Sequence, residues 1–186
     1  IYIILAVSLI CLFPSSSTAQ ISEGGLPPSF GYTNLLKSGS SAVDIPVTFS
    51  VEDLKTVDAW NVSQGAPLKV ATLIPVQLSI ENSGNWILLP GGEQIWQLKI
   101  QAKDAIAINL YYHDFYIPEG GKLFIYNADH TQIIGAYTHE THPKGGRFAT
   151  EFVAGDDIIL EYLAPDSGEK ARISIEEVGY GYNHLS

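Results

Sequence analysis

From residue 68 to residue 182 the chain is cut into short apolar, β-branched runs by turn compositions, and that punctuation constrains the fold more than anything else in it. LKVATLIPVQLSI is closed by ENSGN, WILLP by GGEQ, and AIAINLYYHDFYI by PEGG. KLFIYNADHTQIIGAYTHE reads as two strands about an Asn127–Gln132 hairpin turn, and FATEFVAGDDIILEYLAP as two more about Ala154–Asp157. ARISIEEVGYGY is the last. Turns roughly every eight to twelve residues, with almost no helical periodicity, predict an all-β fold, an antiparallel β-sandwich of jelly-roll-like form. In IWQLKI, Ile95, Gln97 and Lys99 alternate with Trp96, Leu98 and Ile100, so one face is markedly more apolar and Trp96 belongs to the core.

Such a sandwich must hold without covalent staples. The single cysteine, Cys11, lies in the apolar run IYIILAVSLICLF at residues 1 to 13. PSSSTAQ follows, with small residues at Ser17 and Ala19, which predicts a secretory signal peptide over 1–19 cleaved between Ala19 and Gln20. The run falls short of the ~20 apolar residues a spanning helix needs. The expected product is secreted or periplasmic, free of the membrane after cleavage, and thiol-free, so burial must supply its stability. The aromatic residues, including ten Tyr, seven Phe and three Trp, are the natural source of core volume.

Residues 20–66 read differently. ISEGGLPPSFGYTNLLKSGSSAVDIP is Gly-, Pro- and Ser-rich, predicting an extended arm on which Phe30 and Tyr32 could dock against the domain over 67–182. Ser50 followed by Glu52 and Asp53 is a helix-start signal, making VEDLKTVDAW a candidate short helix. The net charge of −10 disfavours nucleic acid and anionic membranes as partners and tolerates a cationic one.

Several fragments mimic catalytic or metal chemistry. Asp166-Ser167-Gly168 has the composition around a trypsin-like nucleophile, but Pro165 precedes it and Pro-Asp-Ser-Gly is a turn. His139-Glu140-Thr141-His142 spaces its histidines three apart rather than four, before Pro143 and Gly145-Gly146, which predicts a loop. Asn127, Asp129 and Thr131 alternate as in a calcium loop, without the later glycine or a glutamate at Thr138. Asp156 and Asp157 are weak calcium candidates at a tight turn after Gly155; no other cofactor is expected. Asn61-Val62-Ser63 matches the N-glycosylation pattern, a single short match. Trp60, Trp86, Trp96, Tyr111, Tyr112 and Tyr116 are the rings from which a sugar platform could be built, with Tyr111 and Tyr112 on opposite faces of their strand.

The order of elements from Ile95 onward resembles the N-terminal region of secreted bacterial lysyl-endopeptidase-like serine proteases. The residues that carry the likeness are Trp96, then Phe115, Pro118, Gly120, Leu123 and Tyr126, then Gly155, Asp156 and Glu161, with GGLPPSF near the start. Tyr180-Gly181-Tyr182-Asn183 stands where that family tends to have His-Gly-Tyr-Arg. The resemblance implies no catalytic residue in this chain. It implies a pro-region that assists or restrains a trypsin-like domain, its cognate partner, in the same polypeptide beyond residue 186. A free-standing carbohydrate-binding or adhesion module is the alternative expectation.

Overall fold

The computed structural model describes residues 22–32, 42–141 and 144–184. The leader, Cys11, Ala19, Gln20 and His142 lie outside them. The fold is all-β with one helix. A six-stranded sheet runs in the order β1 (Ala42–Asp44), β4 (Gln94–Gln101), β10 (Asp157–Leu163), β6 (Lys122–Asn127), β7 (Ile133–Tyr137), with β3 (Asn85–Leu88) also on β4. The second sheet runs β2 (Ala71–Ser79), β11 (Arg172–Gly181), β5 (Ala107–Tyr116), β8 (Phe148–Ala149), with β9 (Val153–Ala154) also on β5. β4 is central: β10 lines one side for its whole length, while β1 and β3 share the other.

Every predicted turn separates two of these strands. The Asn127–Gln132 hairpin forms, and its side chains turn inward on the loop: Asn127 accepts from the Gln132 N–H and Asp129 from the Thr131 N–H and hydroxyl. Those bonds hold the Asp129 carboxyl below its usual range. Pro75 sits in β2, the edge strand of its sheet, where the absent N–H costs no ladder bond.

One core joins the sheets. Trp96, Leu98, Leu123, Ile158, Leu160 and Tyr162 of the first pack into the same cluster as Ile108, Leu110, Phe115, Ile173, Val178 and Tyr180 of the second. Inward residues alternate along β4, β6 and β10, as a period of two demands, while irregularities in β5 and β11 set Tyr112 and Phe115, and Ile175 and Val178, three apart on the core side. Tyr112 is core and Tyr111 half-buried, the split their adjacency required.

Two expectations about residues 20–66 need correction. The segment is not an arm outside the domain, because Ala42–Asp44 adds a strand to β4, and this pair is parallel in an otherwise antiparallel sheet. Ile45 is buried beside it. A three-residue strand has no legible alternation, so only its pairing reveals it. The helix is also longer than VEDLKTVDAW: α1 spans Val51–Ser63, with Ser50 Oγ accepting from the Asp53 N–H and Glu52 and Asp53 favourably placed in its first turn.

The outer face of the first sheet is covered too. Phe124, Tyr126 and Ala136 form a small second cluster there, capped by Phe30 from the arm. Gln97 is buried accordingly, although its alternation marks it as the polar side of β4.

Candidate functional site

Two of the resemblance residues, Tyr126 and Glu161, meet with Ser29 of GGLPPSF in one buried network. Glu161 on β10 is fully buried. Its Oε1 accepts from the Ser29 N–H at 2.8 Å; its Oε2 accepts from Ser29 Oγ at 2.6 Å, Gln97 Nε2 at 2.8 Å and the Tyr126 hydroxyl at 2.9 Å. All four donors are neutral. Hydrogen bonds to an ionised acceptor are each worth about 1.5–3 kcal/mol, so saturation of its lone pairs takes the place of a salt bridge. Burial, and next the charge of Glu161, push the Tyr126 phenol well above the usual tyrosine range, so that it remains a donor.

Ser29 belongs to GGLPPSF, in the 3-10 turn Pro28–Gly31 that Pro28 starts. Next to it Phe30 stacks on His130 at 4.3 Å and meets Tyr126 edge-on at 5.0 Å. Upstream, Glu23 N–H donates to Ala136 O and Ser22 Oγ to Gly135 O, so the arm covers the free edge of β7. The docking expected of Phe30 is thus present, and Glu161, 132 residues from the adjacent Ser29, anchors the turn that carries it.

The other resemblance residues are structural. Phe115 and Leu123 are core, and Pro118 accepts from the Gly121 N–H in a turn where Gly120 takes a φ of +83° that favours glycine. Trp96 is fully buried, and its indole N–H donates to Ser83 O at 2.8 Å. Gly155 turns the chain at φ +108°, and Asp156 O accepts from the Ala102 N–H.

Asp157 pairs with Lys99 at 2.7 Å, and among the described residues no group of three metal-ligating side chains gathers. Ser167 is exposed in a turn closed by Gly168 N–H to Pro165 O, its Oγ accepting from the Glu169 N–H. His139 and Glu140 occupy a turn, with the Glu140 N–H directed at Thr138 Oγ1. Tyr116 lies under the Arg172 guanidinium at 4.7 Å and donates to Glu169.

Sequence reasoning gave no hint of a helix facing the wrong way. α1 turns Val51, Leu54, Asp58 and Asn61 toward the body, and leaves Val57 and Trp60 on an outer flank, Trp60 65% exposed. Trp60 therefore joins no core, and the exposed Glu52 and Asp53 make the face acidic. The helix is held by Asp58, which accepts from the Tyr182 hydroxyl at 2.6 Å. Burial and the neighbouring carboxylate push the Tyr182 phenol up to about 12. Tyr182 follows β11, and its N–H donates to Val70 O. The Asp58–Tyr182 bond thus ties the helix to the chain just after the last strand, and Val57 and Trp60 stay exposed on its outer flank. No protein-family model matches the chain.

Proposed function

We propose that this chain is a non-catalytic pro- or accessory domain of a secreted serine endopeptidase precursor, binding its cognate trypsin-like domain and helping it fold or restraining it. The observation that carries the reading is the convergence at Glu161. Ser29 of GGLPPSF, Gln97 beside Trp96, Tyr126 and Glu161 come from four separate stretches, and they meet in a single saturated network. The meeting of Ser29, Tyr126 and Glu161, from three of the stretches that carry the resemblance, supports that reading. It also agrees with a role in scaffolding rather than turnover.

The face we assign to the partner is the acidic, aromatic flank of α1, with Trp60 and Val57 at its centre. Tryptophan is among the residues most enriched at the energetic centres of protein interfaces. A folded template lowers the entropy cost of assembling a barrel rich in non-local contacts.

The test is a refolding assay. The catalytic segment encoded after codon 186 is denatured and returned to buffer with and without this domain. The domain should speed recovery of peptidase activity at least about tenfold, and Trp60→Asp should remove most of that effect while the domain keeps its melting temperature. A reading frame with no protease segment, or recovery that ignores the domain, overturns the proposal.

A further inference from the structure

A cleft of about 670 Å³ opens where the two sheets part, between the end of β2, the start of β11 and the β3–β4–β10 edge. Its size falls within the ~300–1,000 Å³ typical of small-molecule sites. Trp86 forms one wall. It is the direct cross-strand partner of Trp96, so both rings point to the same face of the sheet, but Trp86 is on the short outer strand and is 52% exposed. Tyr162 braces it edge-to-face, centroids 6.2 Å apart and planes at 79°. Gly84 fixes the opposite lip: at φ +73° any Cβ would lie 2.4 Å from Gln97 O and against the Trp96 indole. A half-exposed indole thus stands beside the cleft, braced by the Tyr162 ring.

The polar lining is varied: Asn82 and Ser83 are bonded within their own turn, and three other polar side chains are uncommitted. The Gln94 amide, the Glu81 carboxylate and the Lys170 ammonium make no hydrogen bond or ion pair among the described residues, while the Glu169 carboxylate accepts from the Tyr116 hydroxyl. Acceptors of either charge state, an ammonium donor and an amide that does both surround one apolar ring face. A ligand carrying only anionic or only cationic groups would meet a like charge somewhere on this rim. Hydroxyls that both donate and accept, on a ring with an apolar C–H face, match it throughout. We infer that the cleft is a binding site for a neutral oligosaccharide, with the pyranose face packed on Trp86 and ring hydroxyls bonded to Gln94, Glu81 and Lys170. This site does not depend on the reading above; α1 and Trp60 take no part in it.

Titration of the whole domain with neutral cello-, chito-, manno- and xylo-oligosaccharides, followed by calorimetry and tryptophan fluorescence, tests the inference. At least one series should bind saturably and perturb indole emission. Trp86→Ala should weaken that binding about tenfold and Trp86→Phe should restore part of it. Gln94→Ala, on an exposed side chain that leaves the fold alone, should weaken it about three- to fivefold. Trp60→Asp should leave it unchanged. Absence of binding to all four series overturns the inference, as does binding indifferent to both Trp86→Ala and Gln94→Ala. Occupation instead by a lysine-bearing peptide, lost on Glu81→Gln, would reassign the cleft to a polypeptide ligand and overturn it equally.

Discussion

Glu161 and Tyr162 are neighbours on β10 and point to opposite faces of one sheet, yet their surroundings have little in common. On the outer face Glu161 is a buried charge with every contact filled, sealed by an arm that would otherwise hang free. On the inner face Tyr162 has a buried hydroxyl with no partner, although its ring is firmly packed and braces Trp86 at the mouth of a cleft. The first environment is saturated and serves stability. The second is left incomplete beside the open cleft, where uncommitted groups collect. A buried polar group without a partner costs about 1–3 kcal/mol, and so does removing a partner from a charged one. The two faces should therefore respond to substitution in opposite senses.

The largest effect expected is from Glu161→Ala, which strands four donors and releases the arm. Chemical denaturation should show a loss of about 3–5 kcal/mol, and limited proteolysis should cut first within residues 22–32. An unchanged midpoint would mean that the arm is held by Phe30 alone. Alkali comes next. Burial raises the phenols of Tyr126, Tyr137, Tyr162 and Tyr182, each kept protonated in the fold. Their folded pKa values exceed that of an unfolded tyrosine, so their contribution is complete below pH ~10 and is lost as pH rises through the folded values, Tyr182 first at about 12. Absorbance at the tyrosinate band should stay low until unfolding and then rise in step with loss of circular dichroism.

Tyr126→Phe sharpens the contrast. It removes one donor from an ionised acceptor and should cost about 1.5–3 kcal/mol in thermal or denaturant unfolding. Tyr162→Phe is the smallest effect and the most telling: loss of an unpartnered hydroxyl should leave stability within about 0.5 kcal/mol of the parent, or raise it. If Tyr162→Phe destabilises as much as Tyr126→Phe, its hydroxyl has a partner and the distinction between the faces fails.

Much of this arrangement was legible in the residues. The strands from β2 onward follow apolar runs bounded by turn compositions, and Ser50 with Asp53 marked the helix start. These are local signals, carried by periodicity of two and by capping chemistry within one turn. Trp96 could be assigned to the core because its alternation was unambiguous. Trp60 and Trp86 could not be assigned, since one sits on a helix flank and the other on an outer strand whose partner decides its exposure. Glu161 gave no local sign of burial either: in LEYL a glutamate reads as the solvent side.

Local pattern along the chain is enough to specify an all-β protein of short strands joined by tight turns, because each of those choices is settled by neighbours in the chain. Tertiary structure alone decided that Ala42–Asp44 pairs parallel with β4, that GGLPPSF closes over Glu161, and that Trp86 overlooks an open cleft. Each of these depends on segments far apart in sequence meeting in one register, and a buried charge or an exposed ring is defined by what arrives from elsewhere, not by the residues beside it.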